Sequence, residues 1–264
     1  MSMNPNMIEV RNLHKSYGNL QVLKDLNLDV IKGETLVILG RSGVGKSVLL
    51  RQILGIETPD SGYVEVDGQR ISSMPLSKRY EAVKSMGMLF QGSALFDSLD
   101  IGENTAFYLH QHNPKMGEEE IDARVAEALR MVGLEGVEQK MPSDLSGGMR
   151  KRAALARLIV YRPRVLLYDE PTTGLDPITA GQINDLINKT QEELQATSIV
   201  VTHDVRSALE VGDRLALHFD GKIAEIADKE KFFKINEPTL HQFYEHAIMS
   251  DDFINHLTKK VKHA

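Results

Sequence analysis

Short runs of β-branched and aliphatic residues recur along the chain with turn residues between them, over residues 7–13, 22–30, 35–39, 63–66, 86–90, 165–168, 198–202, 214–219 and 223–226. Runs of this kind predict strands. The early ones are joined by short links, Gly18-Asn19 and Ile31-Lys32-Gly33, which predict antiparallel pairing; the later ones are separated by helical stretches, which predict parallel crossover units. Helical spacing is strongest over residues 45–54, 118–131, 147–161, 178–195 and 205–211. In the second of these, Ile121, Val125, Ala128, Leu129 and Val132 recur at three- and four-residue intervals, and Gly133 follows where a helix commonly stops. Residues 92–146 contain no strand-like run and predict a mostly helical insertion. The expected class is α/β: a mixed sheet, a parallel core and a helical second lobe. From Asp228 the pattern changes to two helical faces, Leu240, Phe243, Tyr244, Ala247 and Ile248 on one, Phe253, Ile254, Leu257 and Val261 on the other. A tail of this kind packs either on its own domain or on a neighbouring subunit.

Composition narrows the class without naming a chemistry. The chain has 264 residues, 42% hydrophobic and 26% charged, with a net charge of −6. That is globular composition, long enough for one domain or a domain with a small lobe. The apolar runs are broken by charge or glycine well short of the roughly 18 residues a bilayer span needs. No charged-then-apolar leader opens the sequence and it holds 0 cysteines, so a cytoplasmic chain without disulfides or thiolate metal sites is expected. The acidic balance argues against nucleic acid as the partner.

The first candidate chemistry lies between the run at 35–39 and the apolar helix beyond it. Gly40-Arg41-Ser42-Gly43-Val44-Gly45-Lys46-Ser47 fits G-x-x-x-x-G-K-[ST] in the strand–loop–helix setting that motif requires. Gly40, Gly43 and Gly45 let successive backbone N–H groups turn inward on phosphate oxygens, and the helix start, running on through Val48, adds its positive end. Lys46 can reach the β- and γ-phosphates and the Ser47 hydroxyl can ligate Mg²⁺. The pattern alone leaves kinases, GTPases and many ATPases open.

A second candidate ends the run at 165–168. Asp169 and Glu170 are adjacent and alternate in direction, so they cannot do the same work. Asp169 is placed for the Mg²⁺ shell and Glu170 to polarise a water for in-line attack on the γ-phosphate. A lone histidine or glutamine at a strand end, as His203 and Gln91 are, is ordinarily structural unless a site converges on it.

Leu145-Ser146-Gly147-Gly148-Met149, followed by Arg150-Lys151-Arg152-Ala153-Ala154-Leu155-Ala156-Arg157, resembles the LSGGQ signature and following helix of ATP-binding cassette (ABC) ATPases, in that family's order between the two phosphate motifs. The resemblance covers the chain to about residue 228. It implies a P-loop cassette with a RecA-like parallel-sheet core, an antiparallel β subdomain and a helical subdomain at about 92–150, all within an ATPase domain at 1–227, plus a helical tail at 228–264. It further implies that Tyr17, in the turn after the first strand, stacks on adenine beside Val22, contributing about 0.5–1.5 kcal/mol beyond area burial. Gln91 resembles the Q-loop glutamine, contacting Mg²⁺ or water, and His203 the switch histidine on the γ-phosphate. Ser146, Gly147, Gly148 and Met149 would meet the ATP of the other subunit, with Ser146 capping the helix behind them, and Asp176 resembles the D-loop aspartate at the subunit junction. A homodimer sandwiching two ATPs follows, closing with ATP and opening after hydrolysis. Met149 in place of the usual glutamine and Gly174 in place of alanine or serine depart from the general pattern.

Residues 88–99, 103–107 and 141–149 resemble the ATPases of Mla-type (Ttg2A-like) phospholipid transport systems, in which a methionine at the Met149 position is usual. That resemblance implies a membrane permease above the ATPase pair, a periplasmic MCE-domain substrate-binding protein, a small STAS-domain protein, and glycerophospholipid moved between inner and outer membranes. The chain would sit on the cytoplasmic side of the inner membrane through its permease. An ATPase of another small-molecule importer, or a soluble regulatory cassette protein, is the alternative.

Overall fold

The computed structural model describes residues 5–235. The described residues divide into two compact units, one made by residues 5–84 together with 197–235, the other by residues 85–196.

The first unit opens with β1 (Asn6–Tyr17) and β2 (Leu20–Ile31), antiparallel and joined across Gly18-Asn19 as the pattern predicts. Then come β3 (Thr35–Leu39), α1 (Lys46–Ile53), β4 (Ser61–Val66), the short β5 (Gln69–Arg70) and α2 (Leu76–Val83). β4 takes the other edge of β1, antiparallel, and pairs with β5. Ile8, Val10, Leu13, Leu26, Val30 and Val64 from these strands are buried.

The second link behaves differently from the expectation. Ile31-Lys32-Gly33 does not join antiparallel neighbours: β2 stays in the antiparallel sheet, whereas β3 has parallel partners on both edges, β8 (Thr197–Thr202) and β9 (Arg214–Phe219). The reason lies in burial. All five residues of β3 are buried, and a strand covered on both faces belongs in a parallel layer, while β2 alternates between buried and exposed positions.

In the second unit β6 (Met86–Leu89) pairs in parallel with β7 (Val165–Asp169). Between them run α3 (Ile101–His112), α4 (Glu118–Met131) and α5 (Gly147–Ile159), so the strand-free stretch is helical as its sequence predicts. Asp100 and Glu103 cap α3 reciprocally. α6 (Pro177–Leu194) follows β7, its first turn capped by Asp176. The first unit resumes with β8, α7 (Val205–Val211), β9, an antiparallel β10 (Lys222–Asp228) and α8 (Lys229–Phe232), which buries Phe232. The apolar faces expected between Leu240 and Val261 lie outside the described residues. Among the described residues no helix is long and apolar enough to cross a membrane.

Candidate functional site: a phosphate loop and a carboxylate pair

In the first unit, register sets the site. Leu39 lies opposite Thr202 and Leu217 on parallel strands, so Gly40, His203 and His218 are the next residues out at one carboxyl edge. In sheets containing parallel strands this edge is where ligands bind. His203 is exposed there; Arg41 and Ser42 are exposed, Val44 and Ser47 half-buried.

The loop's conformation depends on its last glycine. Gly45 has φ 106°, and a Cβ there would stand 2.6 Å from Val22 Cγ1, so no side chain fits. Val22 therefore packs under the loop where α1 begins. The Lys46 ammonium, 5% exposed, donates to the carbonyls of Gly40 at 2.6 Å and Arg41 at 3.1 Å, which places the cation inside the loop. Val48 is buried in α1.

His218 was not singled out by its sequence position. Its ring Cε1 is 3.4 Å from where a Gly45 Cβ would be, and its carbonyl oxygen 2.8 Å from a Gly40 Cβ. The ring is buried, and neither nitrogen has a hydrogen-bond partner in the structure. Burial, reinforced by the charge of Lys46, lowers its pKa to about 4 and keeps the imidazole neutral.

Tyr17 is the last residue of β1 rather than part of the turn, and its ring is 43% exposed. Its hydroxyl donates to the Glu57 carboxylate, which also accepts from Arg51 Nε at 2.6 Å and Gln52 Nε2 at 3.2 Å. The Lys15 ammonium stands 5.6 Å from the ring centroid. Burial pushes the Glu57 carboxyl up, but the Tyr17 and Arg51 hydrogen bonds outweigh it and hold the group below its usual range.

The second unit repeats the register argument. Leu89 lies opposite Tyr168, so Phe90-Gln91 and Asp169-Glu170 leave their strands at the same end. Both carboxylates are buried. Glu170 has φ 49°, a left-handed conformation costing a non-glycine residue roughly 1–2 kcal/mol, and accepts from Thr173 Oγ1 at 3.1 Å. This bend turns Glu170 off the line of the strand that Asp169 ends.

The signature segment lies in the same unit. Ser146 Oγ accepts from Met149 N at 3.3 Å, the cap expected of it, with Ser146 and Gly147 exposed and Met149 half-buried. A Cβ on Gly148 would stand 2.6 Å from Thr179 Cγ2, so that glycine lets α5 lie against the start of α6. Asp176 Oδ2 accepts from the Thr179 hydroxyl at 2.5 Å and Oδ1 from the N–H groups of Ile178 and Thr179, both at 3.0 Å; the hydroxyl bond first, and the backbone bonds after it, hold the carboxyl below the ordinary range. Lys151, also missed, is 5% exposed and donates to the Gln91 carbonyl at 2.5 Å. Helical spacing could have found it, since Lys151 lies three residues after buried Gly148 and four before buried Leu155.

The same unit carries a groove of about 310 Å³ lined by Phe90, Phe96, Phe107, Tyr108, Arg157 and Tyr161 among others. Tyr108 and Tyr161 stack at 3.9 Å, and the Arg157 guanidinium lies 5.3 Å from the Phe96 centroid. Within the second unit Asp169 carries a carboxylate and Gln91 an amide oxygen, and within the first Ser47 carries a hydroxyl, each of the hard-oxygen kind that Mg²⁺ takes. Among the described residues no cluster of three or more His, Cys, Asp or Glu could form an all-protein metal cage.

The ABC transporter family profile matches residues 23–173. The chain is 41% identical over 236 residues to the probable ribonucleotide transport ATP-binding protein mkl of Mycobacterium leprae, covering 89% of this chain and 68% of that one. It is 42% identical over 241 residues to the intermembrane phospholipid transport system ATP-binding protein MlaF of Haemophilus influenzae, covering 91% of both. Its fold matches a dimeric, post-hydrolysis structure of the ATP-binding cassette MJ0796 bound to ADP and Pi, with TM-score 0.78 and 32% identity over 84% of this chain and 98% of that one.

Proposed function

The chain belongs to the ABC transporter family as an ATP-binding cassette ATPase, and from that premise we propose that it powers phospholipid transport between two membranes. The observation that carries the substrate is the match to MlaF along 91% of both chains, which leaves little of either without a counterpart. The mycobacterial relative, named for ribonucleotide transport, favours the alternative of another importer, but the alignment spans only 68% of it.

Each site residue then takes a role. Lys46 and the loop amides of Gly40 to Val48 hold the β- and γ-phosphates, where a preset cation and oriented dipoles stabilise charge that spreads in the transition state. Tyr17, pinned through its hydroxyl by Glu57, presents a fixed ring to adenine, with Val22 beside it. Ser47, Asp169 and Gln91 hold Mg²⁺, which neutralises phosphate charge when bound. Glu170 accepts a proton from the attacking water, and the left-handed bend at this residue directs it away from the carboxylate that holds the ion. His203 contacts the γ-phosphate. Ser146, Gly147, Gly148 and Met149 reach the nucleotide of a second copy, and Asp176 lies at the junction of the two, so the working unit is a homodimer.

The aromatic groove receives a cytoplasmic helix of a membrane permease, which places the chain at the cytoplasmic face of the inner membrane. An MCE-domain protein that carries the lipid and a small STAS-domain protein complete the assembly. Purification from membranes tests the reading: a permease, an MCE-domain protein and bound phospholipid support it, and a set of soluble partners without lipid overturns it.

A further inference from the structure

Lys151 is a buried ammonium in the second turn of the signature helix that none of the phosphate motifs accounts for. It lies five residues beyond the Ser146 cap, about 7.5 Å along the α5 axis at a rise of about 1.5 Å per residue. Its Nζ donates to the backbone oxygen of Gln91 at 2.5 Å, and Asp169 and Glu170 are the charged groups that stabilise it electrostatically. Removing an ammonium from water is costly, and a lysine this deep ordinarily faces a carboxylate or is replaced by an apolar residue. Here desolvation is the largest influence on the group, and the two carboxylates only partly offset it.

Methionine conserves the volume of this stem, and a volume-conserving swap ordinarily costs under about 1.5 kcal/mol. The charge must be explained by what it touches: the glutamine that opens the loop after β6, and the field on the carboxylate pair after β7. Gly148, three residues earlier on the helix, approaches α6 so closely that α5 has little room to shift without carrying Lys151 along.

We infer that Lys151 is a positioning residue that ties the signature helix to the catalytic carboxylates, so that engagement of Ser146 by phosphate sets the placement of Gln91 and Glu170. This rests on the reading of Glu170 as the base and of Ser146 as a phosphate contact. In the full-length chain, Lys151→Met removes charge and donors while keeping volume, and Lys151→Arg keeps both. The Met variant is expected to lose ten-fold or more in kcat, with KM for ATP within two-fold of the parent and Tm within about 3 °C, because tertiary packing is retained. The Arg variant is expected to recover at least a third of the parental kcat.

A Met variant with kcat within two-fold of the parent overturns the inference. So does a Met variant that loses kcat only together with a large fall in Tm, if the Arg variant is folded and equally inactive, since that marks a packing role. Glu170→Gln, assayed alongside, separates the two readings. If Glu170→Gln turns over normally, the base assignment fails first; if it is inactive while Lys151→Met is not, only the link proposed here fails.

Discussion

The phosphate loop and the signature segment are both glycine-bearing turns that open a helix, yet they end in opposite ways. The loop encloses its own cation: Lys46 is buried and donates to the carbonyls of Gly40 and Arg41, while Gly45 offers α1 no side-chain cap. The signature is the reverse, with a side-chain cap in place at Ser146, Ser146 and Gly147 exposed, and its buried cation, Lys151, turned back toward Gln91. In the proposed reading one segment carries the charge needed to hold a phosphate, and the other presents dipoles to a phosphate held by a second copy. That asymmetry is the physical basis for reading the working site as a composite of two copies.

Removing the enclosed cation is predicted to have the largest effect. Lys46→Ala leaves phosphate charge uncompensated, and ATPase activity should fall by about a thousand-fold or more together with nucleotide binding, measured by turnover and by equilibrium binding of labelled ATP. Ser146→Arg addresses the other segment: turnover should fall roughly a hundred-fold, comparable to loss of one transition-state hydrogen-bond donor, while one chain still binds ATP with parental affinity. Equal losses of binding in both variants would erase the distinction between the segments.

Acid distinguishes them more gently. His218 is held neutral beneath the loop with a pKa of about 4, whereas an unfolded histidine titrates near 6.5. Between those values the unfolded chain takes up the proton and the folded one does not, so the contribution of His218 is full above about pH 6.5 and is lost as pH falls toward 4, at roughly 1.4 kcal/mol per unit. Tm should fall over that range, the fall should be smaller in His218→Phe, and hydrogen exchange should rise at β9 and the loop before α1. The smallest expected effect is at adenine: Tyr17→Ala should raise KM for ATP about two- to ten-fold with kcat unchanged, the span that a stacking contribution of 0.5–1.5 kcal/mol allows.

Much of this was legible in the chain because the segments that matter are repetitive in the physical sense. β3, β8 and β9, the helices α4 and α7, and the glycine spacing of the loop each follow from one local rule, and their residue ranges agree with the pattern to within a residue. α2 escaped because none of its residues is buried, so no apolar stripe marks it. α3 escaped because Asn104 and Thr105, polar but buried and bonded to backbone, interrupt its apolar face. The pairing expected across Lys32-Gly33 failed for a non-local reason: a short link says that two strands are close in sequence, not that they share a sheet.

The candidate site divides in the same way. Gly40 to Ser47, Asp169, Glu170 and the Ser146 cap were visible as motifs. Lys151, His218 and Glu57 were not, because their importance lies in what they touch: a backbone carbonyl 60 positions away, two glycines of a loop on another strand, and the hydroxyl of Tyr17.

The most direct test of a composite site is the mass of the Glu170→Gln chain in solution with ATP, measured by light scattering, alone and combined with Ser146→Arg. The account predicts that Glu170→Gln binds ATP without turning it over and doubles in mass, and that adding Ser146→Arg returns it to a single chain that still binds ATP. A doubled mass that survives Ser146→Arg, or an ATP-loaded Glu170→Gln that stays single, would contradict it.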